Sequence, residues 1–196
     1  MADIKSYHSD GHSLSNGQVL PRPYKYQEAR NVLSEMIDSL CTDMFVKGVV
    51  APKFTWWVSY DYKSLEVCPG YEGERVLDFY GRLHPKHNNG TVKMPMDTNS
   101  ISTVAPLLLA SFDKKTDHRL LYRRLGICAE GVRADSGFFQ LNMFVDYEDL
   151  EREKRLQGAL SEVRSKYGAN ALFTGKNMLK GATQLERNQQ IGGHRA

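Results

Sequence analysis

Catalysis needs particular side chains at particular spacings, and these 196 residues hold few such sets. His84-Pro85-Lys86-His87 brings two imidazoles together, but not at the His-x-x-x-His spacing of a helical metal site, so it reads as a basic loop. His8, His12, His118 and His194 stand singly. There is no Gly-x-x-x-x-Gly-Lys loop to cradle a phosphate and no Gly-x-Ser-x-Gly elbow to present a nucleophile. Asp146, Glu148, Asp149, Glu151 and Glu153 form an acidic run at a helix start, where carboxylates favour the helix dipole and water over a pair of metal ions. Cys41, Cys68 and Cys128 are widely spaced and without a Cys-x-x-Cys pair, which argues for reduced structural thiols and against a zinc site or a disulfide framework. No catalytic residue, metal ligand or cofactor is therefore assigned to this chain. A small hydrolase built on His84 and His87 is the least supported reading.

The remaining chemistry is recognition. The net charge of +3 is too small to mark a strongly basic protein, so any anion binding must come from local clustering. Arg119, Arg123, Arg124 and Arg133 lie in a segment whose one acid is Glu130. By itself such a segment is most simply a solvated face. A second candidate is Gln140-Leu141-Asn142-Met143-Phe144, set between Ser136-Gly137 and the acidic run. Large apolar side chains in a polar, loosely built setting fit either a docking peptide that buries its anchors in a partner's groove or a last edge strand.

The elements that must position these residues follow from periodicity. Residues 1–11 are polar and aperiodic and read as a linker. Residues 12–20 read as a strand with small polar side chains on one face, ended by Pro21 and Pro23. Ala29, Val32, Leu33, Met36, Ile37, Leu40 and Met44 recur at helical spacing over 26–47, with Gly48 as the stop. Phe54, Trp56, Val58 and Tyr60 alternate with Lys53, Thr55, Trp57 and Ser59, the pattern of a strand buried on one face. Trp57 is out of place on the polar side. Residues 65–89, with Gly70, Gly73 and Gly81, form a long loop or hairpin excursion. A strand over 91–96 stops or lies at an edge because of Pro95. Ile101, Val104, Leu108 and Phe112 mark a second helix, expected to begin near Thr103 so that Pro106 falls in its first turn. A final strand over 120–129 is expected to set Leu121, Leu125 and Ile127 on one face and Tyr122 and Arg124 on the other.

Strand, helix, strand, strand, helix, strand is the split βαβ order of an α+β fold: a four-stranded sheet with two helices on one face. The open face then carries Ser13 or Ser15, Thr55, Ser59, Thr91, Lys93 and Arg124, with almost no carboxylates. Hydroxyls for geometry and cations for charge hold a nucleic-acid backbone without reading its sequence. Beyond the domain, Leu156, Leu160, Val163 and Tyr167 form a narrow stripe on a charged helix of about 148–168, free to pack on the domain, a partner or its twin. A stand-alone interaction protein dimerising through that helix is the alternative function. The stretch 181–196, rich in Gly, Asn and Gln, predicts little order, so the tail over 135–196 is helical or flexible.

Several separated motifs, in order, resemble the C-terminal part of a Y-family translesion DNA polymerase of the DNA polymerase IV and UmuC type, in its Gram-positive form. They are His12 to Leu20, Phe79-Tyr80-Gly81-Arg82, Pro85-Lys86-His87, Gly90-Thr91, Arg123-Arg124-Leu125-Gly126-Ile127 and the ending Gly181 to Ala196. The resemblance implies a little finger domain over 12–134 with an insertion at 65–89. Residues 1–11 would link it to a thumb. Ser13, Ser15, Thr91, Lys93, Arg123 and Arg124 would hold the backbone of duplex primer-template DNA. Lys25, where the family has a small capping residue, and Pro106 depart from the pattern. The resemblance also implies that Gln140, Leu141, Met143 and Phe144 dock on the bacterial sliding clamp. Palm, fingers and thumb, with the palm's carboxylates and Mg2+, would belong to the rest of the polypeptide, so this part is expected to bind DNA without polymerising it, in SOS-type damage bypass. A cytoplasmic, nucleoid-associated location without membrane contact is expected, since no run of apolar residues approaches a span.

Overall fold

The computed structural model of the chain describes residues 12–136, 147–191 and 194–195. In chain order, the first half comprises β1 (Ser13–Tyr24), α1 (Tyr26–Val46), β2 (Val49–Tyr60), the short helix α2 (Ser64–Val67), and the strands β3 (Arg75–Leu77), β4 (Leu83–Pro85) and β5 (Asn88–Thr98). The second half comprises α3 (Ile101–Lys115), β6 (Tyr122–Glu130), β7 (Arg133–Ala134), α4 (Tyr147–Tyr167), a 3-10 turn (Gly175–Met178), α5 (Gln184–Arg187), β8 (Gln190–Ile191) and β9 (His194–Arg195).

The four long strands form an antiparallel sheet in the order β1-β6-β2-β5, and β7 extends the start of β2. Helices α1 and α3 each join two strands between which a third is inserted, as the split βαβ reading requires. Alternation in β2 drives this arrangement. Phe54, Trp56, Val58 and Tyr60 are buried, and on β6 Leu125, Ile127 and Ala129 share their face through cross-strand pairing. Against that face pack Val32, Leu33, Met36, Ile37 and Met44 of α1 and Val104, Leu108 and Phe112 of α3. The buried indole of Trp56 meets Phe112 edge-on at 5.3 Å and donates its N–H to Ser111 Oγ at 3.1 Å, so its polar atom is satisfied. Cys41 lies in this core, and burial pushes its thiol up. Across the outer edge of the helix layer, Tyr26 and Arg30 of α1 both donate to Asp113 of α3.

Five expectations change. The strand does not end at Pro21. β1 runs on to Tyr24, its register slipping between Val19 and Tyr24, because an edge strand tolerates prolines that lack a donor. The second helix begins at Ile101, since the Ser100 side chain accepts from Thr103 N at 3.2 Å and caps it there; Pro106 therefore falls in the second turn. Lys25 supplies no side-chain cap, but its backbone N–H is met by Glu28 Oε2 at 3.2 Å. On β6, Tyr122 is buried and meets the rings of Tyr60 and Phe112, so it does not share the outward side with Arg124. The cause is a bulge: Tyr60 pairs with Tyr122 and Ser59 with Arg124, leaving Arg123 as the extra residue that reverses the alternation.

The fifth change concerns the tail. Helix α4 packs on α1 with Gln157 buried, and it is tied to the start of α3 by Glu153, whose carboxylate accepts from the Ser100 and Ser102 hydroxyls; of the expected stripe Leu160 and Val163 are half-buried, while Leu156 and Tyr167 stay exposed. Nor are the described residues beyond 181 without structure. Buried Glu35 of α1 accepts from Asn177 Nδ2 at 2.6 Å, Thr183 N at 2.8 Å and Gln184 N at 3.3 Å, which fastens the tail to the helix layer. Replacing Glu35 with Ala leaves the buried Thr183 N–H without its acceptor. The expected outcome is a loss of about 1–3 kcal/mol in urea unfolding, with faster amide exchange concentrated in 175–190.

Candidate functional site

The side of the sheet away from the helices is the site. Cross-strand pairing brings its residues together row by row: Ser13, Glu130, Lys53 and Lys93 at one end, then Ser15, Cys128, Thr55 and Thr91, then Gly17, Gly126, Trp57 and Asn89, and finally Val19, Arg124 and Ser59. Of the residues expected there, Ser13, Ser15, Thr91, Lys93 and Arg124 all occupy this face. Arg123 does not, because it sits in the bulge, where its guanidinium donates to the Leu20 carbonyl at 2.6 Å and stands 3.9 Å from Asp61.

The face is less purely cationic than its composition implies. Glu130 lies on it, bonded to Lys53 Nζ and Thr55 Oγ1, both at 2.5 Å. These bonds hold the Glu130 carboxyl below the usual carboxylate range, so at neutral pH it remains charged and neutralises Lys53. Thr55 and Thr91 share a second hydroxyl contact at 2.9 Å. The arginines of the basic segment are mostly committed as well. Arg119 pairs with Asp117 and Arg133 with Asp97. Among the described residues, no partner is found for Lys93 or for Arg124, and these are the two cations the face leaves to a ligand.

Trp57 explains itself here. Its indole lies across the sheet over Gly126, where an added Cβ would fall 2.0 Å from Cε2, and extends toward Gly17 on the next strand, where an added Cβ would lie 3.4 Å from Cζ2. It remains 38% exposed, an aromatic plate in the middle of the face. Two glycines beneath it make the room. Gly126 between Leu125 and Ile127 was the signal for this, since glycine inside a strand marks a close approach.

The segment after β2 is a hairpin of β3 and β4, which resolves the expected loop-or-hairpin excursion. Its tip and the Arg124 end of the sheet face line one cleft of about 720 Å3. His84 Nδ1 lies 2.8 Å from the Pro85 carbonyl and His87 is exposed; among the described residues no carboxylate orients either ring as a catalytic base would require. Among the described residues no three His, Cys, Asp or Glu side chains converge as a cation site. No described helix is long and apolar enough to cross a membrane. Gln140, Leu141, Met143 and Phe144 lie outside the described residues.

Residues 12–143, about two thirds of the chain, match the family described as the impB/mucB/samB family C-terminal domain. A solved post-insertion binary complex of Dbh DNA polymerase is similar at 11% identity and a TM-score of 0.39, over 68% of this chain and 33% of that one. An insertion ternary complex of Dbh DNA polymerase is similar at 12% identity and 0.37, over 68% and 33%. The chain thus spans about a third of the length of those polymerase chains. No curated protein matches it.

The plate and its glycines make a closed test. Gly126→Ala forces Trp57 off the sheet and is expected to cost about 1–3 kcal/mol in denaturant unfolding. In a Trp57→Ala background the same change should cost much less, a coupling that a double-mutant cycle measures directly.

Proposed function

The chain belongs to the impB/mucB/samB family, whose C-terminal domain it carries, and from that premise we propose that it is the DNA-gripping and clamp-docking module of a translesion polymerase. The observation that carries the first half is the open sheet face, with hydroxyls in two rows and the unpaired cations Lys93 and Arg124 near its opposite corners. Lys93 stands opposite Lys53 and Arg124 opposite Ser59. Six residues along β2 and two strand spacings across put their backbones about 22 Å apart. That span reaches over a major groove about 12 Å wide to the phosphates on both sides. Ser13 and Ser15 add hydroxyl donors, while the Thr55 proton is held by Glu130 and the Thr91 proton by Thr55, and Arg123 can contribute only from the cleft at one end. Contacts of this kind position a duplex and carry no base code, which suits a protein that must accept any template. On this reading polymerisation and its metal ions belong to other domains of the parent protein.

The second half rests on the peptide 140–144. It follows β7 after a short spacer and precedes α4, so a grip on DNA and a grip on another protein can operate together. Gln140 would bond at the rim of a groove on the sliding clamp, with Leu141, Met143 and Phe144 filling it. Met143 in place of a leucine conserves volume and costs little.

In salt titrations on a blunt duplex, Lys93→Ala with Arg124→Ala should weaken binding on every sequence alike and flatten the slope of log K against log salt by about 2. Glu130→Gln, which removes the one carboxylate of the face and frees Lys53, should shift both in the other direction. Identical slopes for all three proteins would contradict the proposal. For the peptide, Leu141→Ala with Phe144→Ala should abolish binding to a bacterial sliding clamp in a pull-down while leaving duplex affinity unchanged.

A further inference from the structure

The β3–β4 hairpin ends in a turn that is built rigidly and yet presents its most apolar residues to water. Asp78 accepts from Tyr80 N and Arg82 N, each at 2.9 Å, and from Arg82 Nε at 2.8 Å; its own N–H donates to the Arg82 carbonyl at 2.9 Å. Gly81 closes the turn with φ of +73°, a conformation that other residues adopt only with strain. So braced, the tip holds Phe79 97% exposed and Tyr80 75% exposed, the rings 5.4 Å apart and edge to face. Neither ring adds anything to the core. The Arg82 guanidinium lies over the rings of both Tyr80 and Tyr62, at 5.0 and 4.8 Å.

What covers these rings is argued from their surroundings. The cleft below the tip is shared with Arg124 and Ser59 of the open face and with Arg22, Lys63 and Arg123, against the acids Asp61 and Asp78. Asp78 is engaged by Arg82, Arg22 by Glu28 at 2.7 Å and Arg123 by the Leu20 carbonyl and Asp61, so that among the described residues the cleft keeps Lys63 and Arg124 as cations without a side-chain partner. An apolar protein groove would gain nothing from these two cations. A nucleic acid supplies both partners at once, phosphates for the cleft and flat π faces for the aromatic tip. Bases inside a duplex have their faces occupied by one another, so a base that stacks here is unpaired.

We propose that Phe79 and Tyr80 form a stacking site for an unpaired base where single-stranded DNA leaves the duplex held on the sheet, with Arg82 and the cleft cations on the adjoining phosphates. The inference rests on the reading of the open face as a DNA grip, and the experiment separates the two. Binding is measured by fluorescence anisotropy for the full chain on a blunt duplex, on the same duplex with a single-stranded thymidine overhang, and on oligothymidine alone. The wild type should prefer the overhang to the blunt duplex by about tenfold, the worth of one stacked base. Phe79→Leu with Tyr80→Leu should remove that preference and weaken oligothymidine binding by a similar factor while moving blunt-duplex affinity by less than about twofold. Phe79→Trp should preserve the preference, since a stacking partner needs a ring and not merely apolar area. Exposure of both side chains makes these variants stable, and unchanged melting curves verify it. A wild type without overhang preference, or a double variant equally weakened on all three DNAs, overturns the stacking site and leaves the sheet grip standing; no binding to the blunt duplex overturns the grip itself.

Discussion

The interaction on which the rest of the structure depends is the burial of one side of β2. Phe54, Trp56, Val58 and Tyr60 must all leave water, and only helices laid along that side can cover them. Because β2 pairs with both β6 and β5, its register dictates theirs, and a slip of one residue would turn the apolar row outward. The two tryptophans show how tightly the two sides are matched. Trp56 on the inner side lies against Gly90 of β5, and Trp57 on the outer side lies against Gly126 of β6. Each bulky ring faces a residue without a side chain on the neighbouring strand, so the sheet accepts two adjacent indoles on opposite sides without strain. Those glycines are therefore packing residues, whose side-chain space the rings occupy.

Electrostatics on the open side follows a similar economy. Most arginines and lysines near it are spent on carboxylates or carbonyls of the protein: Lys53 on Glu130, Arg123 on Leu20, Arg133 on Asp97. Exposed pairs of this sort contribute little to stability, but they decide which charges remain for a partner. What remains among the described residues, Lys93 and Arg124, is sparse and widely spaced. The bulge at Arg123 contributes by giving Tyr122 to the core and Arg124 to the face, two roles that strict alternation would have assigned to one side.

The tail completes the asymmetry. Helix α4 and residues 175–190 lie on the helix layer, fastened through Glu153, Gln157 and Glu35, so the helices are covered on their outer side. The β3–β4 hairpin stands at the end of the sheet's other face as a wall of different chemistry, aromatic where the sheet is polar.

The element order, the inward rows of β2 and α1, and the membership of Ser13, Ser15, Thr91, Lys93 and Arg124 in one outward face were determined by the sequence alone. Periods of two and near 3.6 are local properties, and a single buried side makes them binding. Tertiary structure alone decided the rest, because each item depends on residues far apart in the chain. Leu20 and Asp61 take up Arg123, Lys53 neutralises Glu130, Gly17 and Gly126 make room for Trp57, and buried Glu35 organises a tail whose composition predicts little order. A bulge, too, has no periodic signature: it appears only when two strands are laid side by side and one of them has a residue too many.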